Sequence, residues 1–167
     1  MKTLITAVAL AFALGTPAAF AHEDDARGKA AAGTAAHEPK GHGAELGTPG
    51  DPGKVTRTIE IGMSDDMRFT PSRIEVTRGE TVKFLVRNHG ALAHEMVLGT
   101  RKELEAHAAR MRAAPGMRHH DPNAVSVAPG GTGTLIWRFT KAGRFAFACL
   151  YPGHLEAGMA GAIVVRR

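Results

Sequence analysis

Apolar and polar residues alternate through most of the chain beyond residue 54. In Val55 to Ile61, Ile59 and Ile61 share one face. Ile74 and Val76 flank Glu75, and Val82, Phe84 and Val86 recur at every second position of Thr81 to Arg87. Further strand-like runs follow at Glu95 to Leu98, Val125 to Val127, Thr134 to Phe139 with Trp137, and Ala162 to Val165. The same period also runs from Gly143 through Phe145, Phe147 and Cys149. Side chains leave a strand on alternate sides, so this period predicts strands buried on one face. Turn formers such as Arg78-Gly79-Glu80 and Pro129-Gly130-Gly131 separate the runs, and Met63 to Pro71 reads as a loop. The pattern predicts an all-β fold, a Greek-key β-sandwich of about eight antiparallel strands.

One segment has a helical period instead. Thr100-Arg101-Lys102-Glu103 is a capping box, in which Thr100 caps the first turn and Glu103 reaches back. Leu104, His107, Ala108 and Met111 then share one helical face, and Pro115 lies beyond the end. A short helix is therefore expected between the strand at His94 and the strands that follow.

The ends of the chain divide it further. Met1 to Ala21 has a basic Lys2, an apolar run from Leu4 to Leu14 and the small-x-small site Ala19-Phe20-Ala21, which reads as a secretory signal peptide cleaved near Ala21. That run is too short to span a bilayer, and no membrane span is expected elsewhere. Residues 22–53 contain Gly, Ala, Pro and three His but no aromatic residue, and read as a disordered His-containing tail. Residues 54–167 suit one domain with one core, expected as a monomer. The chain's net charge of +5 is unevenly spread: 17 Lys and Arg against 10 Asp and Glu from residue 54 on, but 3 against 6 in residues 22–53. A basic domain favours acidic partner surfaces. Nucleic acid is not expected as a partner, because the basic residues are scattered and the chain reads as exported.

The single cysteine gives the domain its chemistry. A lone Cys in an exported chain has no internal disulfide partner. Here it ends an aromatic strand, with His154 five residues on and Met159 five further. Pro152, Gly153 and Gly158 fold the intervening stretch into turns, so a thiolate, an imidazole and a thioether can meet. A second imidazole from elsewhere completes the ligand set of an electron-transfer copper site. His94, which leads into Met96-Val97-Leu98, and His89, beside a turn glycine, are the two candidates, and His94 is favoured.

On these residues, roughly 55 to 167 resemble the cupredoxins, the plastocyanin, azurin and auracyanin family, and within it the periplasmic copper-resistance cupredoxins of the CopI type. The resemblance implies a mononuclear copper centre cycling between Cu(I) and Cu(II), held by His94, Cys149, His154 and Met159. It also implies an exposed His154 edge ringed by Leu150, Tyr151 and Leu155 as the electron exit. A cytochrome or a multicopper oxidase is the redox partner to expect, and the periplasm the location. Family members commonly carry Asn after the strand histidine, where it locks the Cys loop. This chain has Glu95 there, so the lock is unaccounted for. A second, weaker copper site is a further expectation, drawn from His22, His37 and His42 in the tail and Met111, Met117, His119 and His120 after the helix.

Three functions fit: copper tolerance through binding and redox handling, plain electron carriage, and a cuprous oxidase activity at the same site. A multicopper oxidase needs His-x-His pairs and a dinuclear copper centre needs two cysteines, and the chain has neither.

Overall fold

The computed structural model describes Gly43, residues 45–113 and residues 121–167. In chain order the strands are β1 (Gly47–Pro49), β2 (Arg57–Ser64), β3 (Arg68–Thr70), β4 (Arg73–Thr77), β5 (Thr81–Asn88) and β6 (His94–Gly99). Helix α1 (Arg101–Ala113) follows, then β7 (Ala124–Val127), β8 (Thr132–Phe139), β9 (Gly143–Ala148) and β10 (Ala160–Arg166). They form two five-stranded sheets, β1-β8-β5-β2-β3 and β4-β10-β9-β6-β7. The alternation seen in the sequence is the burial pattern of these strands. Val82, Phe84 and Val86 of β5 meet Leu135 and Trp137 of β8 across the ladder, and with Phe139 they face Ile74, Val76, Phe147, Ile163 and Val165 of the other sheet in one apolar core.

Ten strands stand where about eight were expected, and two pairings are parallel, β2 with β5 and β4 with β10. The parallel pairs arise because β4 lies in the second sheet. The chain leaves the first sheet after β3, which is antiparallel to β2, and returns in β5 running in the direction of β2. The expected loop from Met63 to Pro71 is the end of β2, a tight turn and β3. Met63 and Phe69 lie opposite each other in that hairpin, and both are buried.

Residues ahead of residue 54 also pack on the sandwich. Leu46 is fully buried in the core, and β1 extends the first sheet with Gly47, Thr48 and Pro49 opposite Phe139, Arg138 and Trp137. A three-residue strand carrying one proline and one glycine has no legible period. It is held as an edge, where a missing proline N–H is tolerated. Asp51 continues the order by accepting from Gly53 N at 2.9 Å. Truncating Leu46 to Ala should therefore cost about 2–5 kcal/mol, as for a fully buried leucine. Urea unfolding of the metal-free protein measures it, and an unchanged midpoint would mean that β1 and Leu46 add nothing to the fold.

Helix α1 forms as expected. Glu103 N donates to Thr100 Oγ1 at 3.2 Å, and Thr100 N donates back to Glu103 Oε2 at 2.8 Å, which satisfies donors that open every helix. Leu104 and Ala108 pack on Val97, Ala148 and Leu150, so the helix covers the outer face of β6 and β9. His107 is buried with them, while Met111, in the last turn, is half-buried. Among the described residues no helix is long and apolar enough to cross a membrane.

Candidate metal centre

Every residue of β6 is buried, because both of its faces are covered. Met96 and Leu98 face the core between the sheets, and Val97 faces α1. His94 has the parity of Met96 and Leu98 and so opens the strand on the core side. Cys149 has the parity of Phe145 and Phe147 and joins the same core, whereas Ala148 and Leu150 join the helix side. The antiparallel pairing of β6 and β9, with Val97 opposite Ala148 and Leu98 opposite Phe147, brings the two residues to one end of the sandwich.

The third residue arrives on a tightly turned loop. His154 N donates to Tyr151 O, Ala157 N to Gly153 O, Gly158 N to Leu155 O and Met159 N to His154 O, all at 2.9–3.0 Å. Gly158 has a φ of +95°, which the final turn requires and which other residues rarely adopt. The loop closes on its own start, because Cys149 N donates to Met159 O at 3.1 Å. From outside, Arg68 Nη1 donates to Ala157 O at 3.1 Å, and Arg112 of α1 pairs with Glu156. Gly161, just into β10, lies against the ring of Phe147, where an added Cβ would sit 2.1 Å from Cζ.

His94 Nδ1 and Cys149 Sγ each lie 3.2 Å from His154 Nδ1, and a donor atom from each of the three lies within 4.8 Å of the others. Metal bonds of about 2.0–2.3 Å to nitrogen and sulfur place the donors of a trigonal set about 3.5–4 Å apart, close to what the chain presents. His94, Cys149 and Met159 are buried, and His154 is half-buried, with the ring of Tyr151 edge-on to it at 5.8 Å. Burial pushes the Cys149 thiol up to about 12, and lowers His154 below the ordinary histidine range with help from nearby His94. In the metal-free protein at neutral pH the thiol keeps its proton and His154 stays neutral. The donor set of two imidazole nitrogens and one sulfur suits copper, and buried Met159 is bonded through its backbone to both Cys149 and His154. His89, the other candidate imidazole, is exposed beside Gly62 and lies outside the cluster.

The missing lock is supplied by Glu95. Its Oε1 accepts from Leu150 N at 3.1 Å, its Oε2 accepts from Ser126 Oγ at 3.4 Å, and its own N–H points at Cys149 Sγ at 3.5 Å. A longer acidic side chain thus ties β6 to the Cys loop where an amide was expected. Asp65, in the β2–β3 turn, was not singled out from the sequence. Its Oδ1 lies 3.0 Å from His94 Nε2, and its two oxygens accept from Ala91 N at 2.7 Å and Leu92 N at 3.2 Å. These bonds, that from Ala91 first, hold its carboxyl below the usual range. Asp65 and His94 are 29 positions apart, which leaves no spacing signal to read.

Of the residues expected to form a second copper site, His22, His37, His42, Met117, His119 and His120 lie outside the described residues. Met111 is described and half-buried at the end of α1. Met63 and Met96 are fully buried core residues.

Comparison with known proteins agrees with this geometry. Residues 55–166 match the family described as copper binding proteins of the plastocyanin/azurin type. A protein of Rubrivivax gelatinosus named copper-resistant cuproprotein CopI is 49% identical over 166 residues, 99% of this chain and 97% of that one. Its namesake in Pseudomonas aeruginosa is 36% identical, covering 80% and 90%. Among solved structures, dithionite-reduced auracyanin from Roseiflexus castenholzii superposes with a TM-score of 0.57 at 25% identity, covering 68% of this chain and 99% of that one.

Proposed function

The chain belongs to the plastocyanin/azurin family of copper-binding proteins, and from that premise we propose that it is an exported copper-tolerance protein with one redox-active copper centre. His94, Cys149, His154 and Met159 are the residues that would hold the copper. The observation that carries this reading is the convergence of a buried thiol and two imidazole Nδ1 atoms at the end of the sandwich. Copper held there supplies one-electron exchange between Cu(I) and Cu(II).

The chain's own residues do the rest. The β6–β9 ladder and the Cys loop fix the donors before any ion arrives, so little rearranges between oxidation states. Glu95 and Arg68 keep the loop closed. Cys149 is buried in one core with Phe147 and Met159, which keeps water from the sulfur, and half-buried His154 is the ligand with a path to a partner. Copper tolerance, rather than plain electron carriage, is favoured by near full-length similarity to copper-resistant cuproproteins. The export pattern of Met1 to Ala21 supports a location where copper enters the cell.

A cuprous ion is the natural electron source in this reading: it gives one electron to the centre and leaves as Cu(II). One equivalent of Cu(I), added without oxygen to the Cu(II)-loaded protein, should bleach the visible band of the centre. A band that survives excess Cu(I) would leave binding without redox handling.

A further inference from the structure

We propose that Asp65 is a positioning residue of the metal centre, fixing the tautomer of His94 and favouring the cupric state. The proposal rests on His94 being a ligand, as argued above. An imidazole binds metal through a nitrogen that carries no proton, and in the neutral ring the other nitrogen then carries it. His94 presents Nδ1 to His154 within the cluster, so its proton belongs on Nε2, and Asp65 Oδ1 is there to accept it at 3.0 Å. A carboxylate behind a ligating histidine orients the ring and makes the opposite nitrogen a better donor. The added negative charge favours the ion of higher charge.

Two further observations show that this contact is built. Asp65 is anchored by the backbone N–H groups of Ala91 and Leu92, in the loop that leads into β6. It approaches that loop at Gly90, where a Cβ would sit 1.9 Å from Oδ1, so no larger residue fits there unless the carboxylate retreats. The other end of the same loop is tied by buried Asn88, which donates to Leu92 O at 2.7 Å and accepts from Gly90 N at 2.9 Å. Asn88 holds the loop in shape, and Asp65 Oδ1 reaches the imidazole at Nε2.

The test separates the hydrogen bond from the charge. Nitrogen-15 NMR of the metal-free protein reads the His94 tautomer directly, and does so whether or not copper binds. Wild type should carry the proton on Nε2. Asp65→Ala should lose that preference, lose about tenfold in Cu(II) affinity, and show a higher reduction potential. Asp65→Asn removes the charge while keeping an acceptor, so it should raise the potential with a smaller effect on the tautomer. A proton on Nδ1 in wild type would overturn the proposal, as would wild-type tautomer and potential in Asp65→Ala. If Asp65→Ala fails to fold, the wild-type tautomer and the potential of Asp65→Asn decide in the same sense. Absence of a visible copper band in wild type would instead count against the copper centre itself.

Discussion

Replacing Cys149 by serine should abolish the intense thiolate-to-copper band entirely while leaving the fold in place. The thiol is fully buried at the end of the ladder, and serine differs from it by one smaller atom, so packing changes little. Burial already holds the thiol neutral, up to about 12, so the metal-free fold does not depend on a charge at this position. The sign of the pH effect follows. A group whose folded value is raised stabilises below its ordinary value of 9.0 and loses that contribution as pH climbs toward 12. Metal-free wild type should therefore weaken between pH 9 and 12 more than Cys149→Ser does. Copper uptake at neutral pH should release the thiol proton in wild type alone. Visible spectra and thermal melts of the two proteins check this, and a band that survives in the serine variant would place the copper elsewhere.

The second large effect is expected in the cell. A strain carrying Cys149→Ala should be as sensitive to copper as one lacking the protein, because every residue other than the thiolate is retained and only the redox centre is lost. Growth across a copper series compares the two with wild type. Wild-type tolerance in Cys149→Ala would assign protection to sequestration by other residues. An unaffected deletion strain that respires poorly would assign the protein to plain electron carriage.

How much of this was legible in the sequence depended on whether the signal was local. The parity of Phe145, Phe147 and Cys149 is a property of one strand, and it put the thiol on the core side correctly. The capping box of Thr100 and Glu103 is a four-residue signal and is met atom for atom. Leu46 and β1 escaped because edge pairing with β8 depends on a partner about ninety residues away. The turn residue Asp65 was unreadable for the same reason, since only the fold carries it to His94. Glu95 was noticed as a departure, but whether a carboxylate could reach Leu150 N depended on the register of β6 against β9.

Copper K-edge X-ray absorption on the protein loaded with one equivalent of Cu(II) tests the metal centre most directly, because it reports the ligand atoms themselves. If His94, Cys149 and His154 hold the ion, its near shell contains one short copper–sulfur distance and two copper–nitrogen distances, with the sulfur lost in Cys149→Ser. A shell of nitrogen and oxygen alone in wild type would contradict it.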